Sequence, residues 1–290
     1  MIAGIIWMVF AQLLFVVGWV SIKFLGSRIP LFEIIFFRAI VSVVILLPLT
    51  WWRFGSVRGK DYFALFLRSL FGFLAMAMAF YAMIKMDIGN AATLFNTLPI
   101  FVALLAPAIL GETFSTGKLI LVIIAFAGIG MILKPDPDIL NGASIYALMA
   151  GLLGALAMLF VRKLVATDST LIIILYFTAF TAVVAAPFAA AKFIYPTSAE
   201  WVYLLVIGIC TTLGQIFMTR SYRYGHASTI APFSYASVIG AYIVGFTIFN
   251  EMPDVWSVMG ATVIIASGIG IMFTQPTTSI REEIRSAKVT

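Results

Sequence analysis

Charge is scarce in this chain. Asp, Glu, Lys and Arg make up 10% of its 290 residues and apolar types 63%, whereas a soluble domain carries about 25% charged residues, so a water-soluble globule is excluded. Cysteine and histidine occur once each. Cys210 alone permits no internal disulfide framework, and with His226 it cannot assemble a multi-cysteine or histidine-rich metal centre. The patterns H-E-x-x-H, G-x-S-x-G and G-x-x-x-x-G-K-[ST] are absent, and no aspartate falls within an apolar run to form an acid pair. Zinc hydrolysis, serine hydrolysis and hydrolysis of nucleoside triphosphates are thereby excluded. The expectation is a non-enzyme with no catalytic residues, no metal and no cofactor, in which any transport is secondary or facilitated.

Long apolar stretches are what the chain has in abundance. Runs fall at approximately 4–26, 33–51, 64–85, 91–110, 117–133, 142–161, 170–191, 201–219, 227–249 and 255–274, each near the roughly 20 residues that cross a bilayer as a helix. This predicts an all-α integral membrane protein of ten transmembrane helices, with lipid as its main surroundings. The first run has no basic segment before it and no small-residue cleavage motif after it, so it reads as a retained helix and not a signal peptide. A net charge of +6 would suggest nucleic acid in a soluble protein; here it sorts between loops instead. Arg53, Arg58, Lys60, Arg68, Lys118, Arg162, Lys163, Arg220, Arg223, Arg281, Arg285 and Lys288 fall on one side, and Lys23, Arg28, Lys85, Lys134 and Lys192 on the other, with Arg38 set aside as intramembrane. The positive-inside bias then puts both termini in the cytoplasm of a cell whose cytoplasmic (inner) membrane holds the chain.

The chain also repeats itself. Gly89–Glu112, GNAATLFNTLPIFVALLAPAILGE, returns as Gly225–Glu251, GHASTIAPFSYASVIGAYIVGFTIFNE. Each copy runs from a turn glycine through a proline, Pro99 or Pro232, to a glutamate, and each leads on to Gly-Ile-Gly, at 128–130 and 268–270. Lys23 after the first run has a counterpart in Lys163 after the sixth. Five helices per half is an odd number, so the second half must enter the membrane inverted. The KPDPD break at Lys134–Asp138 divides a first repeat, 1–137, from a second, 138–274, followed by a cytoplasmic tail, 275–290.

Polar residues inside apolar runs are the candidate site. Gln12 lies at depth in the first run, while Lys23 can snorkel outward from its end. Arg38 lies about 7.5 Å below the start of the second helix, and an arginine at such depth faces either a structural partner, Glu33 or helix carbonyls, or a substrate. Gly72, Ala75 and Ala79 form a packing stripe, with Tyr81 on another side. In the fourth helix Thr93 and Asn96 share a face, and Pro99 removes a backbone hydrogen bond beside them; Asn96 either meets a ligand or bonds to a neighbouring helix. Ala147, Gly151 and Ala155 repeat the small-residue stripe. Thr212, Gln215, Thr219 and Tyr222 draw a polar stripe that lipid tolerates poorly, and Tyr235 and Tyr242 align behind Pro232. Glu112 and Glu251 read as turn residues, and His226 as a loop residue.

With these residues in place, the chain resembles the drug/metabolite transporter superfamily in its ten-helix form with two EamA-type repeats. The likeness spans 1–274 and is carried by Arg38 in FFRA, Arg68, the Gly89–Pro99–Glu112 run and GHASTIAPFSYASVIGAYIVGFTIFNEMPD. KFLGSRIPLFEIIFFR, LKPD and APFSYASVIGAYIVGFTIFNEMPD are most similar to the branch containing the S-adenosylmethionine uptake carriers. The resemblance implies alternating access around a central cavity, which makes Gln12, Asn96, Gln215 and Tyr235 substrate-binding candidates beside Arg38 and Tyr81. The inverted repeat, the charges near the helix ends and the polar stripes point to a secondary transporter of a small polar or amphipathic metabolite, with a coupling ion or counter-substrate admitted, no nucleic-acid partner and no indication of oligomeric state. The rival readings are an exporter of drugs or amino acids on the same fold and a non-transporting receptor or scaffold.

Overall fold

The structure is a computed structural model and describes residues 2–110, 116–133, 142–224 and 230–273. The expectations placed on Glu112, the Lys134–Asp138 break, His226 and the 275–290 tail lie outside the described residues. Among those residues the fold is helical without strands: α1 (Ile2–Leu25), α2 (Leu31–Phe54), α3 (Tyr62–Lys85), α4 (Ile88–Phe95), α5 (Leu98–Leu110), α6 (Thr116–Leu133), α7 (Gly142–Leu164), α8 (Thr170–Ala191), α9 (Ser198–Ser221), a 3-10 turn (Ala231–Tyr235), α10 (Ala236–Phe249) and α11 (Val255–Phe273). Among the described residues seven helical stretches are long and apolar enough to cross a membrane, one of them Ile88–Ile109, in which α4 runs into α5. Three shorter apolar helices, Leu119–Ile132, Phe233–Phe249 and Val255–Ile271, accompany them.

Local chemistry sets the ends. The Asp61 side chain accepts Ala64 N–H at 3.0 Å to start α3, and Ser169 accepts Ile172 N–H to start α8. Thr197 and Glu200 form a reciprocal capping box on α9, which satisfies amides that the helix leaves open. Gly55 closes α2 in the left-handed region at φ 61°, where a Cβ would be strained.

The principal packings each pair the first half of the chain with the second: α1 with α9, α3 with α7, α2 with α8, and α6 with α11. Polar side chains turn inward. Ser42, Thr50, Ser69, Thr93, Thr178, Thr211 and Thr212 are buried and return hydrogen bonds to carbonyls one turn back, so little polar surface is left for lipid. The outer surface is apolar instead, as at Val44 and Val183.

Helices α6 and α11 cross on two glycines. A Cβ at Gly260 would lie 2.6 Å from the Gly128 carbonyl oxygen, whereas one at Gly130 would meet nothing within 4 Å. Gly260→Ala therefore destabilises the protein by about 1–3 kcal/mol through forced separation of the helices, while Gly130→Ala is neutral or stabilising. Thermal unfolding of the detergent-purified variants checks the difference.

Candidate functional site

Two interrupted helices meet at the centre. The fourth apolar run, expected as one helix, breaks at Asn96–Thr97. Pro99 falls in the first turn of α5, where its missing N–H removes no helical bond; it starts a helix and does not loosen one. The Asn96 amide donates to Ala92 O at 2.8 Å and to Ser237 Oγ at 3.1 Å. The second bond reaches α10, which is itself preceded by the Ala231–Tyr235 turn, so the two broken segments hold one another across the halves.

Beside this junction lies a cavity of about 110 Å³. Four of the expected residues, Gln12, Arg38, Asn96 and Gln215, line it. Tyr81 and Tyr235 do not. The Tyr81 ring packs edge-on against Tyr146, with centroids 5.0 Å apart, and the buried Tyr235 hydroxyl comes up against Gly268 of α11. The small residues Gly72, Ala75 and Ala79 border the cavity as well, so the stripe on α3 makes room there in addition to its packing.

Arg68 also lines the cavity, and the sequence did not mark it as a candidate. Six residues inside α3 it is 1% exposed, and Arg38 on α2 is 3% exposed. Their guanidinium carbons lie 4.0 and 5.6 Å from the centroid of the same Phe177 ring, an attraction between cation and π-face that strengthens where water is excluded. Arg38 Nε donates to Thr211 Oγ1 at 2.9 Å and Nη1 to the Met76 sulfur at 2.8 Å, a weak acceptor. Arg68 Nη2 donates to Gln215 Oε1 at 3.1 Å, and its buried Nε has no acceptor among the described residues. Glu33, the expected structural partner of Arg38, accepts Ile194 N–H at 3.0 Å instead. Among the described residues no carboxylate forms an ion pair with either arginine. Burying a charge costs several kcal/mol even after relaxation, and here two like charges share one place.

The rest of the lining is soft and aromatic. Phe15, Trp19, Phe80 and Phe95 form aromatic wall, and Met8, Met158 and Met218 add thioethers, which adapt to varied shapes. Gln12 donates to the Met8 sulfur at 3.2 Å.

Ionic contacts join the halves at both ends. Lys23 does not snorkel free: it pairs with Glu251 and donates to Met86 O at 2.9 Å. Glu251, expected as a turn residue, also accepts Ile88 N–H at 2.9 Å. Arg28 forks onto Glu200, with Nε at 2.6 Å from Oε1, an arrangement that raises the Arg28 pKa. At the opposite end Lys163 lies 3.2 Å from Asp61. The Ala64 amide, then Lys163, hold the Asp61 carboxyl below the usual carboxylate range.

Comparison with known proteins agrees with this architecture. The model of the EamA-like transporter family matches twice, over residues 2–134 and 141–273. An S-adenosylmethionine uptake transporter of Rickettsia prowazekii is 28% identical over 273 residues, covering 94% of this chain and 93% of its own. The pseudopaline exporter CntI of Pseudomonas aeruginosa is 29% identical over 278 residues, covering 94% and 97%. A solved crystal structure superposes with a TM-score of 0.67 over 92% of this chain and 95% of its own at 13% identity, a likeness of fold alone.

Proposed function

Because the chain belongs to the EamA-like transporter family, we propose that it is a secondary transporter that carries a small polar or amphipathic metabolite across the cytoplasmic membrane by alternating access. One observation carries the reading: the cavity is walled from both halves, by Gln12, Arg38, Arg68 and Asn96 from the first and by Thr211 and Gln215 from the second. A site shared in this way changes shape when the halves rock against one another.

The proposal includes ten membrane-crossing segments, with α4 plus α5 as one and the 3-10 turn plus α10 as another, arranged as inverted units over 1–137 and 138–274. The pairings support it: α1 with α9 has its repeat counterpart in α7 with α3, as a two-fold axis in the membrane plane requires. Both termini are placed in the cytoplasm. Direction is left open by the relatives, one named for uptake and one for export. Among the described residues no acidic side chain lines the cavity, so coupling by exchange suits it better than a proton relay at the site.

Reconstitution in proteoliposomes tests the function. The expected result is saturable, protein-dependent flux of at least one metabolite from a labelled panel; complete absence of such flux across a broad panel favours a receptor or scaffold. For orientation, Cys210→Ser supplies the background. An impermeant thiol reagent on intact cells is expected to label Lys192→Cys and spare Arg58→Cys, both exposed positions. The reverse pattern overturns the assignment.

A further inference from the structure

Taking the transport reading as its basis, we propose that Arg38 and Arg68 form an anion subsite, and that the substrate is a small amphipathic acid of net negative charge. The two guanidiniums flank one Phe177 ring, line the same cavity and have no acidic partner within ion-pair distance among the described residues. Each guanidinium has five N–H donors. Among the described residues Arg38 engages a hydroxyl and a thioether, and Arg68 a single amide oxygen, with its Nε unpartnered. Carboxylates supply what is missing, because their paired oxygens match the guanidinium fork.

Charge then sorts the candidates. A ligand bearing two carboxylates, or one carboxylate without a compensating ammonium, gains from two buried cations. S-adenosylmethionine, in which a sulfonium and an ammonium outnumber one carboxylate, is repelled. The aromatic and thioether walls at Trp19, Phe80, Phe95 and Met158 take an apolar body. Both arginines come from the first half, on α2 and α3, so the doubled fold presents its charge to the cavity from one half.

The test uses the full chain purified in detergent, with the melting temperature followed against glutarate, phenylsuccinate, dimethyl phenylsuccinate, inorganic phosphate and S-adenosylmethionine. At least one of the two acids is expected to raise it saturably, with little or no response to the ester, phosphate or S-adenosylmethionine. Arg38→Gln and Arg68→Gln are each expected to weaken acid binding tenfold or more. Should either variant fail to fold, the wild-type comparison alone decides. Equal stabilisation by ester and acid, stabilisation by S-adenosylmethionine, an equal effect of phosphate, or no response to either acid overturns the proposal. Flux of the labelled acid in proteoliposomes separates this from the transport reading. Acid binding without flux leaves the subsite and removes transport by that ligand; flux of a neutral or cationic metabolite without acid binding leaves transport and removes the subsite.

Discussion

Gly151→Val is expected to yield no folded protein. Gly151 on α7 is buried against the break between α4 and α5, and a Cβ there would stand 2.6 Å from Thr97 Oγ1, 3.0 Å from Phe95 O and 3.1 Å from Leu94 O. Two of these atoms are main chain in the segment that positions Asn96, so no side-chain rotation relieves the overlap. Thr97 Oγ1 is itself held on Leu94 O at 2.7 Å. Valine adds two further methyl groups to the forbidden Cβ, and overpacking of this kind against backbone exceeds the usual 1–3 kcal/mol. Fluorescence-detected size exclusion is expected to show loss of the monodisperse peak for Gly151→Val and a weakened, partly retained peak for Gly151→Ala. A Gly151→Val protein that melts within a few degrees of wild type would show that α7 does not rest on the break.

That contact marks the boundary of what the sequence reveals. The stripe Ala147, Gly151 and Ala155 is readable as a close helix approach, because small residues at fourfold spacing have few other uses in a membrane. Its partner is not readable, since the break at Asn96–Thr97 depends on Pro99 being the start of a helix and not an interruption within one. Gln12, Arg38, Asn96 and Gln215 could be placed on inward faces because each is a polar residue in an apolar run and lipid offers it no partner. Arg68 escaped for a related reason. Near the end of a helix, an arginine looks like a contributor to the cytoplasmic charge bias, and only the tertiary arrangement shows its side chain beside Phe177 and Gln215.

Aromatic residues were harder still. A tyrosine is amphipathic and serves equally at an interface, in a core or in a site, so Tyr81 and Tyr235 carried no signal for which neighbour they would meet. Lys23 and Glu251 illustrate the long-range limit. Separated by 228 residues, each has a sufficient local explanation, snorkelling for one and a turn for the other, and neither explanation hints at the pair.

Breaking that pair is expected to lower transport at least tenfold while leaving the protein folded. Lys23 ends α1, Glu251 follows α10, and the carboxylate also accepts the Ile88 amide that opens α4, where the helix dipole favours negative charge. Lys23 is further held by Met86 O and lies 5.2 Å over the Phe249 ring. With side chains only 16% and 15% exposed, the pair is shielded from solvent, so losing it costs about 2–4 kcal/mol, between the surface and fully buried cases. In an alternating-access carrier that energy belongs to the state closed at this end, and its loss shifts the population towards the open state by a factor of ten or more. Glu251→Gln keeps an acceptor for Ile88 and removes the charge, which makes it the cleaner variant; Lys23→Ala strands a shielded carboxylate and should be the harsher one. The check is Gln12→Cys in the cavity on a Cys210→Ser background, labelled with an impermeant maleimide from the Lys23 side. Labelling is expected to quicken when Glu251→Gln is added, and flux per folded molecule to fall when Glu251→Gln is the single change in a chain that keeps Gln12. Unchanged labelling with flux within twofold of the parent would make the Lys23–Glu251 contact an ornament of the loop and not a latch.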